Sequence, residues 1–470
     1  MSKLLIAGTW VDGASVDTLR DKYSGRVFGT MAVASSAQIG EAVTAAVAAV
    51  TESSLTPYDR YEILMAASRL VAERRDLFCG LMRDEAGFTR ADGENEVQRC
   101  VQTLQLSAEE AKRLNGDLVP MHAGKGVKDR IGFTIHAPRG VICAITPFNS
   151  PLNTVAHKVG PALAGGNSVV LKPSNHTPLS AVELCRALLD AGLPPRLLTL
   201  IHGRGSQVGR ELLADQRIAY YAFTGSTEVG REIQQAAGLR GTQLELGSIA
   251  STIVCEDADT DMAIPKILNA GFRKAGQVCT SVQRLLIDRR IYDDFVAKLV
   301  TAVAGVKAGD PGDPQTLVGP MISQAHAERA EQWICEAIEG GAKVLAGGTR
   351  DGSVLAPTVL ADVSETMRVY CSEIFAPVIS VIPFDGVDDA VVRANDSPYG
   401  LAAGLFTANL HVALRLAPRL RFGGVHVNEA SSARADVMPF GGVKDSGFGR
   451  EGPAYAIREM TEERLITIAY

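Results

Sequence analysis

One cysteine of the chain, Cys279, lies in a setting that suits a nucleophile. It follows Gly276 and precedes Thr280 in a polar, turn-rich stretch, AGQVCTS. A thiol of ordinary pKa, about 8.5, is only a few per cent thiolate at neutral pH, so Cys279 would need help from neighbouring groups. Five other cysteines fall in apolar strand or helix patterns typical of buried thiols, and two more fit neither pattern. The five are Cys79, Cys143, Cys185, Cys255 and Cys335, and the two are Cys100 and Cys371.

A carboxyl group and an amide could complement this nucleophile. Glu245 lies between leucines in QLELG. A carboxyl in apolar surroundings either has a raised pKa, which suits a general base, or is paired and structural. Asn149, in TPFNSPLN, follows a predicted strand, and the pattern makes Ser150 the N-cap and Pro151 the first residue of a helix. The Asn149 amide would then be free to donate at the mouth of that helix, although asparagine is also a common turn residue.

Two stretches could bind phosphate groups. In AFTGSTEVG a predicted strand ends at Phe223, Gly225 and Ser226 form a turn, and a helix is predicted from Glu228. Free backbone N–H groups and the Ser226 hydroxyl would suit a pyrophosphate there, and an ordinary capped helix is the alternative. KPSNHTP also follows a strand, and its Lys172 could reach a ribose or a phosphate.

The single GxGxxG match, SGFGREG, is not interpreted as a dinucleotide fingerprint. Gly447, Gly449 and Gly452 follow a Pro-Phe-Gly-Gly loop and lie near the end of the chain. The fingerprint belongs instead to a first strand–helix turn. The sequence contains no P-loop, no HExxH motif and no Cys/His zinc spacing, so no metal site is predicted.

The composition is that of an ordinary globular protein and excludes several classes. The chain has 470 residues, 46% of them hydrophobic and 21% charged, and a net charge of −6 at pH 7. We therefore expect more than one domain and no nucleic-acid partner. No stretch reaches the ~18 apolar residues of a membrane span, and the N-terminus lacks a secretory-signal pattern. Scattered cysteines without a CxxC pair predict reduced thiols and a cytoplasmic location.

Strands and helices alternate from about residue 140, which predicts an α/β fold with mostly parallel sheets. The predicted strands are 141–145, 168–172, 197–201 and 218–224, and the predicted helices are 38–50, 57–88, 94–115 and 178–192. A second alternating block follows a seam at 242–248 and runs to about residue 430. The final RLITIAY (464–470) is a predicted edge strand without a partner nearby in the sequence, which another subunit could cover.

In this order the motifs resemble those of the aldehyde dehydrogenase superfamily along essentially the whole chain. They are TPFNSPLN with Asn149, KPSNHTP with Lys172, FTGS with Ser226, LELG with Glu245, GQVCTS with Cys279, EIFAP with Glu373 and Phe375, and PFGGVKDSGFGREG. The resemblance implies a Rossmann-type cofactor domain (1–115 and 138–247), a catalytic domain (248–445) and an oligomerisation arm (116–137 and 446–470). It also implies a homodimer or homotetramer.

The resemblance further implies that Cys279 attacks an aldehyde and that hydride passes to NAD or NADP. The Asn149 amide and the Cys279 backbone N–H would form an oxyanion hole, in which each donor is worth about 3–4 kcal/mol. Glu245 would activate the water that hydrolyses the thioester, which favours hydrolysis over acyl transfer to coenzyme A. Lys172 is assigned to both the catalytic and the cofactor residues. The other implied cofactor residues are Thr146, Pro147, Phe148, Ser174, Asn175, Arg204, Gly205, Gly209, Phe223, Thr224, Gly225, Ser226, Val229, Leu246, Glu373 and Phe375.

Two departures from the family pattern bear on the cofactor. Ser248 replaces a common second glycine after LELG and adds bulk near the nicotinamide. Asn175 replaces the glutamate of NAD-preferring members, whose carboxylate repels a 2′-phosphate. Because Lys172, Ser174 and Arg204 could bind that phosphate, we expect NADP to be accepted alongside NAD.

Polar and basic residues occupy positions where many family members have large apolar ones. By resemblance the substrate site comprises Arg99, Asn153, His157, Arg273, Thr280 and Arg434. Arg434 lies in a loop expected to close over the substrate tunnel, whereas Arg273 could equally form a salt bridge elsewhere. Guanidinium groups match carboxylate, phosphate, phosphonate and sulfonate tails, so we predict a small anionic aldehyde as the substrate. A dehydrogenase of neutral aldehydes, with surface arginines, and a non-catalytic descendant are the alternatives.

Overall fold

A computed structural model describes residues 2–470, in which strands and helices alternate over most of the chain. The strands are β1 (Leu4–Ile6), β2 (Thr9–Val11), β3 (Ser15–Arg20), β4 (Val27–Val33), β5 (Leu118–Val119), β6 (Arg130–Pro138), β7 (Val141–Ile145), β8 (Ser168–Lys172), β9 (Leu198–Leu200), β10 (Ile218–Thr224), β11 (Gly241–Glu245), β12 (Ala250–Val254), β13 (Val282–Asp288), β14 (Lys343–Ala346), β15 (Arg350–Asp351), β16 (Val354–Leu355), β17 (Thr358–Ala361), β18 (Val378–Phe384), β19 (Tyr399–Gly400), β20 (Ala402–Phe406), β21 (Gly424–Val427), β22 (Val443–Lys444), β23 (Gly447–Phe448) and β24 (Thr461–Ala469). The α-helices are α1 (Ser36–Glu52), α2 (Pro57–Glu73), α3 (Arg75–Ala86), α4 (Arg90–Arg113), α5 (Asn153–Ala164), α6 (Leu179–Asp190), α7 (Arg210–Ala214), α8 (Thr227–Ala237), α9 (Thr260–Phe272), α10 (Tyr292–Ala304), α11 (Gln324–Glu339), α12 (Arg368–Cys371), α13 (Val387–Asn395), α14 (Leu410–Leu416) and α15 (Pro453–Glu459).

The first large sheet has a doubly wound strand order. Its eight strands lie in the order β2-β1-β9-β8-β7-β10-β11-β23, and the five from β9 to β11 are parallel. Numbered along the chain, these five have the order 3-2-1-4-5, so the direction of winding reverses between β7 and β10. Open α/β sheets bind ligands at such a switch point, beyond the carboxyl ends of the strands.

The second large sheet lies in the order β14-β17-β18-β13-β12-β20-β21 and is parallel except for its edge strand β14. Alternate residues of its strands are buried in different hydrophobic clusters. Val254 and Leu285 pack on one face, and Ile253 and Leu286 pack on the other. Because both faces are covered, the central strands are nearly continuous apolar runs. The prediction of an α/β fold with mostly parallel sheets is confirmed.

A three-stranded sheet, β24-β6-β5, contains the end of the chain. Strand β24 pairs with β6 in antiparallel fashion over nine residues, from Thr461 opposite Pro138 to Ala469 opposite Arg130. RLITIAY therefore has an intramolecular partner, which lies too far away in the sequence to be evident there. Within residues 2–470, the other edge of β24 is unpaired. The domain boundaries and the use of this sheet in oligomerisation stay predictions.

Most predicted elements agree with the structure to within a few residues, and strands β7, β8 and β10 agree residue for residue. The predicted helix 57–88 is wrong as a single element. It is divided into α2 and α3 because Arg74, with φ −88° and ψ 18°, leaves the helical region. Capping boxes fix the starts of α1 and α2 through the pairs Ser35–Gln38 and Thr56–Asp59. No helix within residues 2–470 is both long and apolar enough to cross a membrane.

Candidate active site

A cavity of about 510 Å³, the cofactor cleft, opens at the switch point of the first sheet. Most of the predicted cofactor residues line it: Thr146, Pro147, Phe148, Lys172, Ser174, Asn175, Arg204, Gly205, Thr224, Gly225, Ser226, Leu246, Glu373 and Phe375. Three predicted residues lie outside it. Phe223 packs in the hydrophobic core, Val229 points outward from α8 with 40% of its surface exposed, and Gly209 is buried at the end of a π-helical turn.

The cleft also contains residues that the sequence did not indicate. His326 and Arg329 project from α11, a helix that packs against the second sheet. Gly247 follows β11. The His326 ring lies 6.2 Å from the ring of Phe148, which in turn packs edge-on against Phe375 at 5.9 Å. These aromatic contacts join the two sheets across the cleft. No local motif marks α11, because only its tertiary position brings it to the site.

The loop that carries Cys279 has an unusual backbone. Lys274 and Ala275 have left-handed φ values of 52° and 53°, and Gly276 follows with 67°. A side chain at Gly276 would have its Cβ 2.2 Å from the carbonyl oxygen of Ala376, so glycine is required there. Gln277 anchors the loop, since its side-chain oxygen accepts a 2.9 Å hydrogen bond from the Ile322 N–H.

The Cys279 thiol is partly exposed to the cleft, yet burial raises its pKa to about 12, and the nearby Glu373 and Glu245 act in the same direction. Without a ligand, the residue is therefore a thiol at neutral pH. Five other cysteines are buried: Cys79, Cys100, Cys143, Cys185 and Cys255. The prediction that Cys335 is buried is wrong. It follows the inward-facing Ile334 on α11 and is turned to solvent, and Cys371 is also exposed.

Asn149 lies in a turn before α5 and not at the start of a helix. The predicted cap at Ser150 is wrong, because α5 begins at Asn153 and its preceding residue is Leu152. The turn is held from outside by the buried carboxylate of Glu96, which accepts hydrogen bonds from the Ser150 hydroxyl and the Asn153 N–H. The Asn149 amide donates one N–H to the Gln277 carbonyl at 2.8 Å, which leaves its second N–H free to face a ligand.

Glu245 is the last residue of β11 and is 98% buried, with both carboxyl oxygens lacking a hydrogen-bond partner within residues 2–470. Burial, reinforced by the neighbouring Glu451, raises its pKa well above the ordinary carboxyl range. Glu451 is the opposite case. Although burial opposes ionisation, Lys158 at 3.2 Å and Arg434 at 2.6 Å hold its pKa well below the usual range. Of these two carboxyl groups, Glu245 therefore holds a proton more tightly than Glu451 does.

A second cavity of about 60 Å³, the inner cavity, lies on the other side of Cys279. It shares Asn149, Thr224, Glu245 and Cys279 with the cofactor cleft. Five of the six predicted substrate residues line it: Arg99, Asn153, Arg273, Thr280 and Arg434. The sixth, His157, is buried behind the wall, where its Nε2 lies 2.8 Å from Asp436.

Two of the three arginines in the predicted substrate site, Arg99 and Arg434, are already paired with carboxylates, and their role in binding an anion stays a prediction. Arg99 donates two hydrogen bonds to Asp436, at 2.7 and 3.1 Å, and Arg434 pairs with Glu451. Although burial opposes it, hydrogen bonds from His157 and Arg99 hold the pKa of Asp436 well below its usual range. Asp436 therefore neutralises Arg99, which lies 337 positions away in the sequence, and Glu451 neutralises Arg434, which lies 17 positions away.

Arg273 is the exception among the cations of the inner cavity. Of the inner-cavity cations, it alone forms no ion pair with any of residues 2–470, and its Nε is buried without a hydrogen-bond partner. Burial lowers its pKa, and the nearby Arg99 acts in the same direction. A guanidinium stays charged even so. The possibility that Arg273 forms a salt bridge elsewhere is therefore not realised.

The polar groups of the cofactor cleft fit a dinucleotide. Lys172 is buried beside the cleft, which lowers its pKa to about 8, and the Asn175 side-chain oxygen is buried without a partner. Burial raises the pKa of Glu373 to about 7, and one of its oxygens accepts a hydrogen bond from the Ser248 N–H at 2.9 Å. A cation for phosphate, an unsatisfied amide oxygen and a carboxyl group for ribose hydroxyls are the donors and acceptors that such a ligand needs.

The predicted phosphate cradle after β10 takes the form of a capped helix. Ser226 is the N-cap of α8, which begins at Thr227, and its hydroxyl oxygen accepts a hydrogen bond from the Val229 N–H. The helix thus begins one residue earlier than predicted. Gly225 and Ser226 line the cofactor cleft, so the start of α8 faces the space where phosphate groups would lie.

Comparison with known proteins identifies the family. The sequence profile of the aldehyde dehydrogenase family matches residues 10–466. The chain is 44% identical over 465 residues to 3-sulfolactaldehyde dehydrogenase of Priestia aryabhattai, covering 99% of this chain and 97% of the relative. It is 36% identical to lactaldehyde dehydrogenase of Methanococcus aeolicus, with 99% of each chain covered.

A solved structure agrees with the sequence comparisons. Glyceraldehyde-3-phosphate dehydrogenase of Methanocaldococcus jannaschii, in complex with NADP, superposes with a TM-score of 0.93 at 36% identity and covers 97% of this chain and 100% of its own. The doubly wound sheet, the position of Cys279 in the cleft and the similarity along the whole chain all support the same family assignment. The chain belongs to the aldehyde dehydrogenase family and is an NAD(P)-dependent oxidoreductase.

Proposed function

We propose that the protein oxidises a small aldehyde with an anionic tail to the carboxylic acid. The observation that carries this proposal is the unpaired guanidinium of Arg273 in the wall of the inner cavity, on the same side of Cys279 as the substrate would lie. Asp92 and Glu96 lie near enough to favour the charged form of Arg273, but neither forms an ion pair with it. A cation without an ion-pair partner in a cavity of about 60 Å³ favours a ligand that brings a negative charge. A guanidinium binds carboxylate or sulfonate through a pair of parallel hydrogen bonds.

The names of the relatives support a short-chain substrate but differ in charge. One relative is named for 3-sulfolactaldehyde, which carries a sulfonate, and another for lactaldehyde, which is neutral. Arg273 favours the charged member of this pair. Arg99 and Arg434 would shape the cavity without adding net charge, since each has its own carboxylate.

In the proposed reaction the Cys279 thiol gives up its proton to solvent as its sulfur bonds to the aldehyde carbon, and the electron pair of the C=O bond moves to the oxygen. When the C=O bond re-forms, the hydrogen of that carbon leaves as hydride and Cys279 is left as a thioester. The free N–H of Asn149 and the Cys279 backbone N–H, which has no acceptor within residues 2–470, donate to the developing oxyanion. NAD(P), when bound, supplies the hydride acceptor. Glu245 then takes a proton from the water that hydrolyses the Cys279 thioester, and its raised pKa makes it a strong base once it is ionised.

We further propose that Lys172, Ser174 and Asn175 hold the adenosine end of the cofactor and that Glu373 holds the nicotinamide ribose. No carboxylate occupies position 175, so NADP is accepted as well as NAD. We also propose that the free edge of β24 pairs with another copy of the chain, which gives a dimer or a tetramer. The predicted domain boundaries are kept as part of this proposal.

The test compares two aldehydes with the same carbon chain. We expect kcat/KM with NADP to be at least tenfold higher for 3-sulfolactaldehyde than for lactaldehyde, a difference of about 1.4 kcal/mol. Arg273→Met should abolish this preference, mainly through KM for the anionic aldehyde. Arg289→Met, which breaks an exposed pair with Asp385, is the control and should leave the preference unchanged. If the wild-type protein oxidises both aldehydes equally well, the substrate is neutral and the proposal fails.

A further inference from the structure

We propose that Glu96 and Lys274 act as positioning residues that hold the Asn149 turn against the loop of Cys279. We refer to this buried pair as the Glu96–Lys274 clamp. The inference rests on the proposed roles of Asn149 and Cys279. It concerns which side chains fix the position of the Asn149 amide relative to Cys279.

The clamp connects three separate segments through one ion pair. Lys274 Nζ lies 2.8 Å from one oxygen of Glu96 and donates a second hydrogen bond, of 3.0 Å, to the backbone carbonyl of Asn149. The other oxygen of Glu96 accepts from the Ser150 hydroxyl and the Asn153 N–H. Helix α4, the Asn149 turn and the Cys279 loop thus meet at two side chains.

The Asn149 side chain completes the connection. Its amide donates to the carbonyl of Gln277, and the Gln277 side chain donates back to the Lys274 carbonyl at 3.2 Å. The loop that leads to Cys279 is therefore bound to the Asn149 turn at two points, Lys274 and Gln277. A shift of Lys274 would move the amide donor and the cysteine relative to each other.

The clamp is a costly arrangement, which argues for a role beyond stability. The side chains of Lys274 and Glu96 are only 5% and 1% exposed, and buried ion pairs often stabilise a fold no more than apolar residues of similar volume would. Lys274 also adopts a left-handed backbone conformation that disfavours side chains other than glycine. Such strain persists where the surrounding contacts over-determine a geometry, and it is common at active sites.

Lys274 lines the inner cavity, but it is not the free cation there. Glu96 neutralises its charge, and two of its three N–H donors are used by Glu96 and the Asn149 carbonyl. Arg273, the preceding residue, has no such partner. The adjacent cations therefore have different tasks: Arg273 faces the substrate, and Lys274 faces the turn that carries the oxyanion donor.

A double-mutant cycle between Lys274→Met and Asn149→Ala tests the clamp, because coupled residues are not additive. Removing one oxyanion donor costs about 10²–10³ in kcat. We expect Lys274→Met alone to lower kcat by about tenfold to 100-fold, with little change in KM for NADP. In the Asn149→Ala background, the same change should have almost no further effect. A purely structural Lys274 would instead give losses that multiply.

Two further variants keep the test decisive. Glu96→Gln removes the charge but keeps the shape of the side chain, so it should lower kcat by less than Lys274→Met does. This variant can be measured even if Lys274→Met folds poorly. Lys266→Met breaks a half-buried ion pair with Glu429, outside both cavities, and should leave kcat unchanged. Multiplicative losses with Asn149→Ala, or a Glu96→Gln protein of normal kcat, would overturn the clamp. Full activity of Asn149→Ala itself would instead overturn the proposed function, so the two failures are distinguishable.

Discussion

The two cavities that meet at Cys279 are built in different ways. The cofactor cleft, about 510 Å³, is lined largely by turns that follow the carboxyl ends of parallel strands. The inner cavity, about 60 Å³, has six charged side chains from distant parts of the chain in its lining, and four of these are paired. The turn at the end of a strand binds ligands through its backbone N–H groups, which do not depend on a side-chain partner elsewhere in the fold. Arg434 has a carboxylate partner and Arg273 has none, so we expect an anionic ligand to be bound by Arg273 in preference to Arg434.

Glu245 borders both cavities, and its removal should have the largest effect. We expect Glu245→Gln to lower steady-state turnover by about 10²–10⁴, the usual contribution of a general base. The first turnover should persist as a burst of reduced cofactor, because attack by Cys279 does not require Glu245. Stopped-flow absorbance of the reduced nicotinamide measures both phases, and Glu62→Gln on the surface is the matched control. Loss of the burst would show that Glu245 acts before the thioester forms.

The pH dependence of the same residue gives a second test. Burial raises the pKa of Glu245, so its basic form is populated only at pH values above the ordinary carboxyl range. Wild-type turnover should therefore rise with pH until Glu245 is ionised, whereas the residual turnover of Glu245→Gln should lack that rise. Identical pH profiles for the two proteins would contradict the assignment.

Paired and unpaired charges in the inner cavity should differ in their effect on stability. Asp436→Asn leaves Arg99 buried without its carboxylate, and breaking a buried pair costs about 3–5 kcal/mol of unfolding free energy. Arg273→Met breaks no pair and should leave stability nearly unchanged. Urea denaturation followed by circular dichroism compares the two variants with the wild type. Equal loss of stability in both would show that Arg273 is structural too.

The smallest effect should come from the cofactor cleft. Burial lowers the pKa of Lys172 to about 8, so its positive charge is present below pH 8 and is lost as pH rises through that value. KM for NADP should therefore increase by up to about tenfold between pH 7 and pH 9, as the charged fraction falls. Lys172→Arg stays charged across this range and should show a flat profile. A wild-type KM that does not change with pH would remove Lys172 from the phosphate site.

The sequence predicted most lining residues of both cavities, but it did not reveal the ion pairs of the inner cavity, for a physical reason. Strands β7, β8 and β10 are apolar runs that end in polar turns, so their carboxyl ends and the residues that follow them are visible locally. The ion pairs Arg99–Asp436 and Lys158–Glu451 join residues hundreds of positions apart, and no local pattern reveals them. His326 and Arg329 escaped prediction because an ordinary amphipathic helix carries them. The Ser150 cap was wrong because Glu96, from another helix, holds that turn.

The layout around Cys279 has a consequence for protein engineering. The cofactor cleft and the inner cavity have only four lining residues in common: Asn149, Thr224, Glu245 and Cys279. Lys172, Ser174 and Asn175 line one cavity and Arg273 lines the other, so we expect preference for a cofactor and preference for a substrate to be separable. A library randomised at positions 174 and 175 should yield catalysts with exchanged coenzymes and unaltered aldehyde choice. A library at position 273 should yield variants with an altered aldehyde preference and an unchanged coenzyme preference. The selected substitutions from the two libraries could then be combined in one chain.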